Sequence, residues 1–199
     1  MANANIPRGL IPVRYRSGAT YAGQYNIYFV PASYATALFI GDPVIPVTAS
    51  ADGNGIPVVQ RASAAGGNFL IGSVVGVVSH GDPAVTLTRD NPPYHLASTA
   101  GYVLVADDPD LMFEIQEDGV GGAMPVGASS RNVDLIAGTG STASGYSGFL
   151  ADSSTLATTA TLQLRIYRPA ERPDNEPGNT LAKWLVSINL HSVRNTTGI

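Results

Sequence analysis

The chain contains no cysteine, which excludes disulfides and thiolate metal sites and is compatible with a reducing compartment. Charge is scarce as well. Asp, Glu, Lys and Arg together make up 13% of the 199 residues, about half the usual share. Such a surface suits a body partly covered by neighbours in an assembly, and suits equally a Ser/Thr/Asn-rich β surface. Lysine is almost absent: Lys183 stands alone among eleven basic residues. The arginines fit bidentate pairing with carboxylates at interfaces and, equally, a GC-rich coding sequence. A net charge of −4 argues against a general nucleic-acid binder, which needs a dense cationic surface. Long apolar runs are missing too. The longest, residues 69–78, is too short for a bilayer and holds Gly72 and Ser73. Residues 1–8 lack the apolar stretch of a secretory signal. The expectation is a soluble protein with neither membrane nor nucleic acid as partner.

What is present is 44% apolar residues, enough for a sizeable core, punctuated by 22 glycines and 14 prolines. Residues 101–118 show the pattern best. Two apolar runs, residues 102–106 and 111–116, flank Asp107-Asp108-Pro109-Asp110. Aspartate bonds its own backbone and proline presets φ, so the tetrapeptide is turn chemistry and the stretch reads as a β-hairpin or a tight β-corner. Met112, Glu114 and Gln116 alternate with Phe113, Ile115 and Glu117, the mark of a half-buried strand.

Residues 1–18 read as an extended arm. Pro7 and Pro12 forbid a helix, Val13-Arg14-Tyr15-Arg16 alternates like an edge strand, and Arg8, Arg14 and Arg16 make this the most basic segment. An arm of this kind is expected to lie on an acidic partner surface, and its removal through residue 16 to leave the fold intact. Residues 19–199 read as one all-β domain. Strands are expected at 25–30, 56–60, 69–78, 84–88, 132–136, 161–168 and 184–190, with an edge strand at 44–48 because of Pro46. Residues 34–40 are ambiguous between a strand and one helical turn. Gly72 and Gly76 suggest a bend or close backbone approach. Gly41-Asp42-Pro43 is echoed by Gly81-Asp82-Pro83, two turns rather than a repeat architecture. Residues 119–160 are Gly-, Ala-, Ser- and Thr-rich and read mostly as loop, and 169–179 as a long exposed loop carrying Glu171, Arg172, Asp174 and Glu176. The strands on either side of that loop are expected to pair antiparallel. The fold class is all-β, a sandwich, jelly roll or small barrel with long Gly/Ser/Pro-rich loops.

Motifs that carry chemistry fare poorly. Gly138-Thr139-Gly140-Ser141-Thr142-Ala143 matches a dinucleotide fingerprint, but poor helix formers follow it. Residues 145–149 end in Phe149 where a nucleophile elbow needs glycine. His80, His95 and His191 are far apart in sequence, and His191 reads as a polar-face strand residue. Asp107, Asp108, Asp110, Glu114, Glu117 and Asp118 form the one dense charge cluster, without a calcium-loop pattern. It reads as a plain turn or as an acidic patch for a partner's arginines. Acidic corner and basic arm (Arg8, Arg14, Arg16 against Asp107, Asp108, Asp110) are complementary and form the candidate capsid or subunit interface. No catalytic, cofactor or metal residue is assigned.

The proline-bearing arm, Gly41-Asp42-Pro43-Val44 opening a strand, the glycine-rich loops, and residues 101–118 leading into Ser/Thr/Gly-rich sequence give the chain its likeness. It resembles the decoration, or cement, proteins of tailed-phage heads. The resemblance implies a non-enzymatic virion protein on the capsid exterior, assembled in the host bacterial cytoplasm. It implies the major capsid protein and the chain itself as partners, a homotrimer ahead of a dimer, and no cofactor. Other virion parts, a tail or head-fibre protein, are the alternative, as is a carbohydrate-binding β-sandwich using Trp184 and the tyrosines.

Overall fold

The computed structural model describes residues 3–64, 66–78 and 92–194. Over these the chain is all-β. Its strands are β1 (Ile11–Tyr15), β2 (Asn26–Val30), β3 (Pro43–Ala51), β4 (Pro57–Arg61), β5 (Gly72–Val78), β6 (Gly101–Ala106), β7 (Leu111–Gln116), β8 (Asn132–Val133), β9 (Leu135–Ile136), β10 (Leu150–Ala151), β11 (Leu164–Pro169) and β12 (Lys183–Ile188). Five of them close a barrel in the order β2-β4-β3-β5-β6, and five form a sheet in the order β1-β7-β12-β11-β8. β9 and β10 make a separate short ladder.

The barrel is filled by small β-branched residues. Val30, Val44, Val59, Val74, Val103 and Val105 pack inside with Tyr28, Leu38 and Ile71. Alternate residues face outward, so Ile27 sits across from Leu104 and Phe29 from Tyr102 on the barrel wall. β3 is not an edge strand, since β4 and β5 both pair with it. Proline is tolerated because β5 pairs only with Pro43 and Val44 and leaves Pro46 beyond the ladder. The two β5 glycines do what their spacing suggests. A Cβ on Gly72 would stand 2.2 Å from the Ala106 carbonyl oxygen, and the β5–β6 register slips between Val74 and Gly76.

Residues 107–110 form a corner, not a hairpin. β6 has both edges occupied, by β2 and β5, and β7 is paired with β1 and β12, so the two strands belong to different sheets. β7 is also more than half-buried: Met112 and Gln116 are covered as fully as Phe113 and Ile115. Its second face is roofed by the N-terminal segment, where Gln116 Oε1 accepts from the Ile6 amide (3.0 Å) and Gln116 Nε2 donates to Asn5 Oδ1 (3.0 Å).

β11 and β12 pair antiparallel as expected. Leu164, Ile166, Trp184, Val186 and Ile188 share the core with Phe113, Ile115 and Phe149. Residues 119–160 join that core through Met124, Ala128, Leu135 and Phe149, so this small-residue stretch is pinned by its own chain. The single strand expected at 132–136 splits between two ladders, β8 on β11 and β9 on β10. Residues 34–40 hold only isolated bridges at Leu38 and Ile40 and no helical turn. The second Gly-Asp-Pro turn, the strand expected at 84–88 and His80 lie outside the described residues.

Candidate interaction surface

The N-terminal segment is extended, and it lies on its own chain. Asn3 Oδ1 accepts from the Glu176 amide (2.8 Å), and its Nδ2 donates to the Thr180 carbonyl (3.1 Å). The Leu10 amide donates to the Gly41 carbonyl (2.8 Å), and Ser73 Oγ donates to the Leu10 carbonyl (2.6 Å). Here Gly9 and Gly41 meet backbone to backbone. Both have positive φ, and a Cβ on Gly41 would fall 1.8 Å from the Arg8 carbonyl oxygen. The Gly-Asp-Pro-Val stretch therefore docks the segment on the barrel and then starts β3. Leu10 is fully buried and β1 pairs with β7, so cutting the chain back past residue 16 would expose core and not merely shed an arm.

The expected interface residues separate into two places. At the corner, Asp107 accepts from Tyr28 Oη (2.7 Å) and Asn26 Nδ2 (2.9 Å). Burial, and then this bond, push the Tyr28 phenol above its ordinary range. Asp108 Oδ1 accepts from the Asp110 amide (2.8 Å), an Asx turn, and Asp110 pairs with Arg194. The Arg16 amide donates to the Asp110 carbonyl (2.8 Å), and Arg16, Asp108 and Asp110 line one shallow depression. Arg16 thus meets the acidic corner within a single chain.

Arg8 and Arg14 lie elsewhere, along a groove on the outer face of the five-stranded sheet. Two depressions of about 300 Å³ each share Val13, Glu114 and Arg172. The first is lined also by Ile6, Arg8, Ile11 and Lys183, the second by Arg14, Arg168 and Leu185. Between them Arg172 pairs with Glu114 (3.0 Å) and Asp174 (2.9 Å), and Lys183 Nζ reaches Asp174 (2.8 Å). Hydrogen bonds from Arg172, then Lys183, hold the Asp174 carboxyl well below the usual carboxylate range. Glu171 is taken by Arg168. Arg8 and Arg14 differ: the Arg8 guanidinium lies over the Tyr146 ring (5.0 Å) and that of Arg14 over Tyr167 (5.7 Å). Among the described residues neither has a carboxylate partner.

This groove was only half visible in the sequence. Arg8 and Arg14 stand out as a basic segment, but Glu114 and Arg172 are brought together from strands and loops far apart in the chain.

Buried polar groups serve the fold. Asp42, fully buried, accepts from Ser147 Oγ (2.6 Å) and the Phe39 amide (2.9 Å), with Arg61 at 3.3 Å. Burial raises its pKa against those partners. Glu117, also fully buried, accepts from Trp184 Nε1 (3.1 Å) and the Met124 amide (3.0 Å), and burial raises its pKa. His191 is not a polar-face residue: it is buried, and desolvation, then Arg194, lower its pKa. Among the described residues no group of three or more His, Asp or Glu is placed to hold a metal ion, and no helix is long and apolar enough to cross a membrane. No helix starts after Gly138; its Cβ position is occupied by the Gly148 carbonyl, 2.0 Å away. The chain matches no family model, no curated protein and no solved structure.

Proposed function

We propose that the chain is a structural virion protein that decorates the outside of a tailed-phage capsid as a homo-oligomer, a trimer ahead of a dimer. The observation that carries this reading is the division of its exposed surface. The sheet carries an arginine-rich groove in a chain whose net charge is −4, while the barrel wall exposes Tyr25 and Ile27, each about half accessible, beside Phe29, Tyr102 and Leu104. One face suits adhesion to an acidic lattice and the other an uncharged contact with a second copy. Many modest contacts then add through multivalency. The low overall charge fits the same picture. The carbohydrate-binding alternative loses its main platform, because Trp184 is fully buried.

Co-sedimentation with expanded phage heads, followed by electron microscopy of heads with and without the protein, tests the reading. Saturable binding with density at local symmetry axes is expected. A monomer in light scattering that leaves heads undecorated would overturn it.

A further inference from the structure

Resting on the capsid reading for the identity of the partner, though not for the chemistry of the site, we propose that the sheet groove seats an extended acidic segment of the partner polypeptide. Its lining is of two kinds. One is aliphatic: Ile11 and Leu185, with Ile6 and Val13 still 52% and 39% exposed. The other is cationic: Arg8 in one depression and Arg14 in the other. The carboxylates inside the groove are already engaged, Glu114 and Asp174 by Arg172, Asp174 also by Lys183, and Glu171 by Arg168. What remains for a ligand is positive charge at two points, with exposed Val13 and the internally paired Glu114–Arg172 between them. Arg14 Nε has no acceptor among the described residues, so no carboxylate among them competes for this guanidinium.

Two cations in two adjoining depressions suit an extended peptide better than a small anion. A single carboxylate satisfies one arginine. An extended chain repeats side chains on one face every ~7 Å, so it can offer carboxylates to both arginines and aliphatic side chains to Ile6, Ile11, Val13 and Leu185. The same features disfavour nucleic acid. Glu114, Glu171 and Asp174 would stand against a phosphate backbone, and the chain as a whole is acidic. A second copy of this chain offers its acidic corner poorly, since Asp107, Asp108 and Asp110 are engaged at home.

The test is fluorescence anisotropy with purified protein and three labelled probes: a peptide alternating Glu and Val, its Lys/Val counterpart, and an oligothymidylate. The acidic peptide is expected to bind, and more weakly as salt rises from about 50 to about 200 mM. The Lys/Val peptide is expected not to bind. Arg8→Gln with Arg14→Gln should weaken the acidic peptide about tenfold or more, while Arg165→Gln, outside the groove, changes it less than about twofold. If Arg14→Gln disturbs β1, Arg8→Gln alone, at an exposed position, should still weaken binding several-fold. The proposal is overturned if the acidic peptide does not bind, if oligothymidylate binds as tightly, if the arginine variants bind like wild type, or if Arg165→Gln is equally damaging. Head co-sedimentation separates the two claims. Protein that decorates heads but ignores the peptide removes the groove assignment alone. Protein that binds the peptide through Arg8 and Arg14 but ignores heads supports the groove and removes the capsid.

Discussion

The barrel and the five-stranded sheet solve the same problem with different materials. The barrel closes on itself and needs only a narrow filling, which six valines supply. It leaves an outer wall partly bare. The sheet is open and must be covered on both faces. One face takes Trp184, Phe113 and Phe149. The other is covered by the N-terminal segment and the residues before β12, and polar groups of the strands are buried beneath them: Gln116 of β7 and Lys183 of β12. Closure removes free strand edges and permits a simple interior. An open sheet needs a roof, and the roof is where this molecule carries its groove. The groove is therefore a by-product of how the sheet is covered.

Substitutions can break or sharpen that contrast. The largest effect is expected for Trp184→Ala, which empties the centre of the sheet core and frees the Glu117 carboxylate from its indole donor; a loss of about 4 kcal/mol should appear in urea unfolding. Gly41→Ala drives a Cβ into the Arg8 backbone at a positive φ and should cost about 3 kcal/mol. Hydrogen exchange should then show β1 loosened more than β11, and equal loosening would mean the glycine contact does not hold the segment. Val103→Ala trims the barrel filling and should cost about 2 kcal/mol, less than the tryptophan change because fewer atoms leave.

Glu117→Gln sharpens the comparison through pH. Burial raises the Glu117 pKa in the folded state, so the stability linked to its protonated form is complete below about 4.3, the unfolded value, and is lost as pH rises through the raised one. The amide cannot ionise. Its melting temperature should gain on wild type between about pH 4 and pH 7. Asp42 has the same sign and persists in both proteins, and His191, lowered by burial, has the opposite sign, with stability complete above about 6.5 and lost as pH falls through its depressed value. A difference that stays flat with pH would show that Glu117 titrates normally. The smallest effect is expected for Arg172→Ala. Its pairs lie at a partly exposed site, so unfolding should change by under about 1 kcal/mol, while the boundary between the two depressions disappears.

Local alternation announced β7, β11 and β12 because their apolar residues recur with period two, and the Asp-Asp-Pro-Asp turn announced itself through its side chains. Which sheet each strand joins was not legible, because alternation records only that one face is buried. That is why residues 101–118 could be either a hairpin or a corner, and why 132–136 looked like one strand. His191 and Gln116 are polar on the page and buried in the fold, since what covers them comes from segments remote in sequence. The groove shares that origin. Its arginines were visible, but its shape depends on β1, β7 and the residues before β12 meeting in space.

The order of β1, β7 and β12 also bears on synthesis. The barrel strands run from Asn26–Val30 to Gly101–Ala106, and among the described residues no sheet strand lies between them, so this half can close on the ribosome before the other. β1 precedes the barrel, yet its ladder partner β7 follows it, and β7's other neighbour, β12, comes later still. β1 must therefore wait for the whole barrel before it can pair, and a nascent chain stalled in between would expose an unpaired, arginine-bearing ribbon beside a finished barrel.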